Sequence, residues 1–379
     1  MSETTTTASS FAPHTFVTSA ISFSAPHIIN ALLAAGHCVT AAVRQNSTIH
    51  DLITHHPEWK GKVNYVVVYE KERTNEGIMG RTLETEEFDH AVVILPTTAT
   101  NSELDDTGFL NDDKSSFLSF LHSALKHAPT LKSLVIVGPS QFSFSTTSHP
   151  HPAHPPAYNE NLTLPTIVSA IQSLFMTGSV SSTPGFSISH LVPGLMTGPP
   201  LQDVRGKSDL DAASRLVLDC VDVYGDGLGP EEGEKRWKRW IDVRDLATAT
   251  VRALSRAENE GIAVGRVEEI GSAEIRKILG SLGEDVLGAL KWKGMKMLLE
   301  EEDEDERIGR RFKGVEFRKP GFGVDDGDEE PTMSEDDLED GNAALGFGKG
   351  GEGLRGLEES VKDTVQKLLE IKTRFGFDE

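Results

Sequence analysis

Short apolar runs alternate with segments of helical spacing through the first 200 residues. Residues 14–20 (HTFVTSA), 38–44 (CVTAAVR), 63–69 (VNYVVVY), 91–95 (AVVIL), 133–137 (SLVIV) and 186–192 (FSISHLV) read as six strands. Between them, residues 26–35 (PHIINALLAA), 47–55, 117–127 and 166–176 place apolar side chains three and four apart, the period of a helix with one buried face. Pro26 suits a first helical turn and Gly36 a stop. The strand runs are apolar on consecutive positions rather than on alternate ones. A strand of that kind is covered on both faces, as in a parallel sheet held between two helical layers. The pattern predicts an α/β fold with a doubly wound parallel sheet of βαβ units.

Beyond residue 200 the alternation loosens. Residues 209–221, 243–258, 268–282 and 285–297 read as helices, and 224–234 (YGDGLGPEEGE) as an acidic, glycine-rich loop. Residues 300–340 then carry 18 Asp/Glu against 6 Lys/Arg, which predicts a disordered acidic insertion. Helical spacing resumes at 357–372 (LEESVKDTVQKLLEIK). The expected organisation is a disordered polar start over 1–13, a main α/β body over 14–200, a small lobe over 201–299, the insertion over 300–340, and a closing helical segment over 341–379.

Composition changes this picture mainly by exclusion. Apolar residues make up 37% of the 379, below the usual globular share, as expected if part of the chain is not packed. A formal net charge of −22 argues against a nucleic-acid partner and against anionic membrane surfaces, both of which call for a basic face. The opening MSETTTTASS has neither the basic nor the apolar region of a secretory signal, and no apolar run reaches about 18 residues, so a cytoplasmic protein is expected. Cys38 and Cys220, both in apolar contexts, predict two buried free thiols.

Four segments, in order, resemble the extended short-chain dehydrogenase/reductase family (NAD-dependent epimerase/dehydratase-like), especially its dihydroflavonol- and ketone-reductase branch. FVTSAISFSAPHIINALLAAGHCVTAAVR (16–44) is similar to that family's first strand, glycine loop, helix and second strand. LVPGLMTGPPL (191–201) resembles the end of its sixth strand, WIDVRDLATATVRAL (240–254) its Val-Asp-Val-Arg-Asp helix entry, and LEESVKDTV its terminal helix. The resemblance implies a Rossmann-type fold, with residues 14–200 as a dinucleotide-binding-like domain and 201–299 as the substrate-side lobe. It also implies NADP as cofactor, a small carbonyl or alcohol metabolite as substrate, and leaves a homodimer open.

The residues that would carry this chemistry depart from the family's pattern. Its Thr-Gly-x-x-Gly-x-x-Gly loop uses glycine for a tight turn and for close approach of the pyrophosphate to a helix N-terminus. Thr18 matches, but the three glycine positions hold Ser19, Ser22 and Ala25. Alanine is tolerated at the third position, whereas each serine adds a Cβ where backbone freedom or close approach is needed; the serine hydroxyls read alternatively as donors to a phosphate or as caps of a plain strand–turn–helix. Arg44, at the end of the second strand, sits where NADP-preferring members place the arginine that accommodates the 2′-phosphate. It reads equally as an exposed strand-end arginine.

The family's proton relay is a Tyr followed four residues later by Lys. Free tyrosine, with a pKa near 10, is a poor acid or base at neutral pH without such help. The four tyrosines here, Tyr65, Tyr69, Tyr158 and Tyr224, are followed at that spacing by Tyr69, Arg73, Leu162 and Leu228. The pair is absent from the chain. Tyr158, in AYNENL, lies just upstream of the expected position and is either a pocket residue or a loop tyrosine. Ser140, in VGPS, matches the family serine after the fifth strand and reads also as a turn residue after Pro139.

His149, His151 and His154 cluster in SHPHPAHPP, but no Cys or carboxylate stands at ligand spacing, so a solvated loop is expected and no metal. Asp242, Arg244 and Asp245 either shape the substrate side of the cleft or form an internal ion pair with Asp245 capping the helix. Trp237 and Trp240, in KRWKRW, read as packed on a helix or strand edge, or as a tract that binds a partner. Three readings stay open: an NADP-dependent reductase with an unorthodox site, an enzyme of non-redox chemistry (isomerisation, dehydration or cyclisation) in the same pocket, and a catalytically inactive binding or scaffold protein.

Overall fold

Consecutive apolar positions along a strand must point to opposite faces, so each strand run needs cover on both sides. A computed structural model of the chain describes residues 12–43, 45–68, 82–84, 86–95, 114–138, 185–204, 209–224, 237–256, 260–290, 335–348 and 351–375. Its strands are β1 (His14–Val17), β2 (Cys38–Val43), β3 (Val63–Val67), β4 (His90–Ile94), β5 (Ser133–Val137), β6 (Ser187–Pro193), β7 (Leu195–Thr197), β8 (Trp237–Asp242), β9 (Glu260–Val264) and β10 (Arg266–Ile270). Seven form one sheet in the order β3-β2-β1-β4-β5-β6-β9, with every pairing parallel. The fold is the Rossmann-type α/β arrangement that the sequence predicts.

The helices are α1 (Ala25–Ala34), α2 (Asn46–His55), α3 (Lys114–His127), α4 (Ala212–Tyr224), α5 (Val243–Leu254), α6 (Ser272–Gly280), α7 (Glu284–Leu290), α8 (Glu335–Ala344) and α9 (Leu357–Phe375). Along β5, Val135 and Val137 enter one core with Ile28 and Leu32 of α1 and Leu246 of α5. Leu134 and Ile136 enter the other, with Phe120 and Leu121 of α3. Phe16 of β1 packs edge-on to Phe88 at 5.3 Å and stacks with Phe120 at 6.0 Å. Each such side chain, fully buried, contributes about 1.5–3 kcal/mol of transfer free energy.

A second, three-stranded sheet, β10-β8-β7, carries the smaller lobe. Its core joins Trp240 to α4, α6, α7 and α9. Trp240 is fully buried, and its indole N–H donates to Glu268 at 3.2 Å, so KRWKRW is a strand that packs its inner tryptophan. The helix expected over 268–282 begins only at Ser272, because Arg266–Ile270 pairs antiparallel with β8. That pairing is a long-range contact invisible to local spacing.

Other boundaries moved for similar reasons. The first strand stops at Val17, three residues short of the expected end, and the helix expected to reach 258 stops at Leu254. Residues 335–340, read as part of the acidic insertion, belong to α8. Asn342 fixes that helix to the edge strand: its Nδ2 donates to Gly265 O at 2.8 Å, and its Oδ1 accepts from Gly265 N at 3.2 Å. Cys220 is buried as expected, whereas Cys38 is exposed, a correction that follows from its place at the open start of β2. The expected helix over 166–176, the loop over 225–234 and residues 300–334 lie outside the described residues.

Candidate functional site

In a parallel sheet the loops that follow the strands gather at one edge, and ligands bind there where the strand order reverses. Here the reversal falls between β1 and β4, and the β1–α1 loop lies at it. Thr18 anchors the loop: its N–H donates to Val92 O at 3.0 Å, and its Oγ1 accepts from Ile94 N at 3.0 Å. This locks the end of β1 to β4 and turns the chain out of the sheet. Ser22 O then accepts from Ala25 N at 3.0 Å, closing the turn that starts α1. Ser24 stands at the N-cap, but its side chain makes no capping bond, and Pro26 occupies the first turn, where a missing N–H costs nothing.

Of the residues singled out in the sequence, the structure gathers Thr18, Ser19, Ser22 and Ala25 into this loop. Thr18 and Ala25 are fully buried, and Ser19 is 2% exposed. The Ser22 hydroxyl is enclosed and has no hydrogen-bond partner. Arg44, Ser140 and Tyr158 lie outside the described residues, as do His149, His151 and His154. The last described residue before Ser140 is Gly138, whose N–H donates to Leu191 O at 3.1 Å. A Cβ on Gly138 would stand 2.6 Å from Leu95 Cβ, so only glycine lets the ends of β4 and β5 approach this closely.

His27 is a residue that spacing alone did not mark. It sits in the first turns of α1, 6% exposed, and its Nε2 donates to Pro199 O at 2.9 Å. Burial pushes its pKa down to about 4, against the opposing pull of that hydrogen bond and of Asp242. The ring is therefore neutral at physiological pH and ties α1 to the Gly-Pro-Pro segment that follows β7. The one available sequence signal was Phe23, four residues earlier, whose ring meets His27 edge-on at 6.2 Å.

The IDVRD segment joins β8 to α5. Asp242, 1% exposed, caps α5 by accepting from Arg244 N at 2.8 Å, and it also takes two guanidinium bonds, from Nε at 2.9 Å and Nη2 at 2.8 Å. Arg244 Nη1 reaches Asp363 of α9 at 2.6 Å. Burial raises the Asp242 pKa, but the bonds from Arg244 and Ser360 outweigh it and hold the carboxyl below the usual range. Asp245 accepts from Arg355 N at 2.6 Å and pairs with the Arg355 guanidinium. The internal ion pair expected from sequence is present, but the cap is Asp242 rather than Asp245, because Asp242 is the residue with extended backbone just before the helix. The segment clasps the C-terminal part of the chain to the body. Gly194, in the Val-Pro-Gly segment, lets the turn after β6 press on β8: a Cβ there would lie 2.3 Å from Arg239 O.

Among the described residues no group of three or more His, Cys, Asp or Glu is arranged to hold a metal ion, and no helix is long and apolar enough to cross a membrane.

No family model matches the chain. By sequence it is similar to the ketoreductase azaE of Aspergillus niger, with 24% identity over 264 residues, covering 66% of this chain and 77% of that protein. It is similar also to an uncharacterized oxidoreductase of Schizosaccharomyces pombe, 25% identical over 268 residues, covering 66% and 75%. By structure it resembles the yeast methylglyoxal/isovaleraldehyde reductase Gre2 in its NADPH complex, with TM-score 0.62, 18% identity, and 95% and 99% of the two chains covered. The UDP-glucose 4-epimerase of Thermotoga maritima matches with TM-score 0.54 at 15% identity, covering 94% and 99%. At this identity the structural likenesses show the fold alone, one shared by reductases and UDP-sugar epimerases.

Proposed function

We infer, from the chain's place in the extended short-chain dehydrogenase/reductase, epimerase-like family, that it derives from NADP-dependent carbonyl reductases and no longer performs their hydride transfer. The carrying observation is the absence of any Tyr-x-x-x-Lys pair from all 379 residues. Hydride delivery to a carbonyl leaves an alkoxide that must receive a proton in the same step. Without a neighbouring cation a tyrosine hydroxyl holds its proton too firmly to cycle at neutral pH. Tyr65 illustrates the point, since burial pushes its hydroxyl up to about 12.

The dinucleotide loop supports the same reading. The residues present do not fit a pyrophosphate as the family's glycines do: Ser19 is buried, the Ser22 hydroxyl is enclosed, and the loop is packed against β4 through Thr18. No catalytic step is therefore assigned to NADP. The role that remains is binding of a small metabolite at the sheet edge by a catalytically inactive protein in the cytoplasm. The net charge of −22 keeps nucleic acid and anionic membranes out of its partners, and a homodimer is the proposed assembly. Non-redox chemistry in the same cleft is the second reading. It is favoured by the hydroxyls of Ser140 and Tyr158, which the sequence keeps near the family's catalytic positions.

The test is turnover. The purified protein, incubated with NADPH and a panel of ketones, aldehydes and diketones, is expected to oxidise no NADPH above the protein-free rate. Steady oxidation of NADPH that depends on both protein and carbonyl would overturn the proposal.

A further inference from the structure

A cradle for a pyrophosphate must offer amide groups to an arriving polyanion and leave room for it directly above the backbone. At the two ends of the β1–α1 loop the amides are already used. Thr18 N is already bonded to Val92 O and Ala25 N to Ser22 O, and Pro26 has no N–H to give. Thr18, Ala20 and Ala25 are fully buried, Ser19 and Ser24 are 2% exposed, and Phe23, in the middle of the turn, is 9% exposed. The Ser22 hydroxyl belongs to the residue at the second glycine position. It is closed off from solvent and bonded to nothing. The residue itself is partly exposed, so the enclosed oxygen is turned into protein rather than toward solvent.

We propose that the β1–α1 loop is shut against dinucleotides by Ser19 and Ser22, whose side chains take up the space that glycine leaves for a pyrophosphate, and that the protein works without a nicotinamide cofactor. This deepens the reading that hydride transfer has been lost, and it can fail separately: binding without turnover sinks only the closure, whereas turnover sinks both. The opposite account is that the Ser22 hydroxyl waits for a phosphate oxygen. The two accounts predict opposite responses to substitution. Under closure the unbonded hydroxyl is a cost to the fold, and its removal stabilises the protein. Under phosphate binding its removal weakens the nucleotide.

The experiment is a calorimetric titration of the full chain with NADPH and NADH, paired with thermal unfolding, on the wild type, Ser22→Ala and Ser19→Gly/Ser22→Gly. The expected results are no wild-type binding at millimolar nucleotide, a higher Tm for Ser22→Ala without nucleotide, and at least a tenfold gain in NADPH affinity for the double glycine variant. Micromolar binding by the wild type overturns the proposal, as does a folded double variant with no gain. A lower Tm for Ser22→Ala also counts against it. Should the double variant fail to fold, the wild-type titration and Ser22→Ala still decide.

Discussion

The two edges of the main sheet use polar residues in opposite ways, and α5 spans from one to the other. At the edge where the strands begin, polar groups are spent on one another. His14 N and Lys132 Nζ both donate to Asp89, at 2.9 and 2.6 Å. Thr15 Oγ1 bonds His37 Nδ1 at 2.8 Å, and the His37 and His90 rings lie 5.6 Å apart. Ser133 Oγ donates to Leu254 O at the end of α5, at 2.9 Å, so it must accept the 2.8 Å bond from His90 Nδ1. That assignment leaves the proton of neutral His90 on Nδ1. At the edge where the strands end, Asp242 and Arg244 secure the start of α5, but the Ser22 hydroxyl is buried without a partner. The difference teaches that the two edges are not equally well paired. At the starting edge these named groups follow the rule that buried polar groups are paired. The ending edge leaves the Ser22 hydroxyl outside it.

The largest effect that tests this contrast is acidification. Burial pushes His27, His90 and His190 down to about 4 from 6.5. Their folded pKa lies below the unfolded one, so unfolding takes up protons. Their contribution is whole above about pH 6.5 and is lost as the pH falls toward 4. Asp211, pushed up to about 6 by burial, works the other way by one proton. Near pH 5 these four groups together take up about two protons on unfolding, each about 1.4 kcal/mol per pH unit. Urea unfolding at pH 7.5, 6 and 5 should show that slope, and a flat profile would count against neutral buried rings.

Next in size is the clasp. Arg244→Ala leaves Asp242 buried without its counter-charge and is expected to cost roughly 3–5 kcal/mol. Chemical denaturation should show a lower midpoint at unchanged slope. A loss under 1 kcal/mol would mean that IDVRD is not a structural anchor.

His190 offers an effect of the other sign. It lies within β6, 1% exposed, with no close partner for either ring nitrogen, and only the Gly138 backbone pulls against the burial that lowers its pKa. His190→Phe is expected to stabilise by roughly 1–3 kcal/mol and to remove about one proton from the acid slope, both read from the same urea series. The smallest effect belongs to Ser133→Ala, which breaks the His90–Ser133–Leu254 chain at a cost of about 1–2 kcal/mol. Thermal unfolding at pH 7.5 measures it, and an unchanged Tm would show that the starting edge does not depend on that chain.

Much of the fold was legible because its signal is local. β5 was read from end to end, and the helix over 26–35 shifted by only one residue, since a run of apolar residues or a 3.6-residue period needs no partner to be recognised. Elements that depend on distant contacts were not. β8 and β10 exist through their pairing with each other. α8 carries little apolar periodicity in EDDLEDGNAA and is held by Asn342 on Gly265. The site was legible in part. The glycine losses at Ser19 and Ser22 and the missing Tyr/Lys pair are statements about residue identity. That Asp242 rather than Asp245 caps α5, and that His27 reaches Pro199 across 172 positions of sequence, are not.

By itself, then, the sequence determined the α/β class, the parallel sheet and the absence of a Tyr-x-x-x-Lys pair, because side-chain identity and local period suffice for each. The tertiary structure decided which polar groups are paired, how far His27, His90 and His190 are driven from their ordinary pKa, and whether the β1–α1 loop is open. Those properties are set by desolvation and by partners brought together from far along the chain, and no local pattern encodes them.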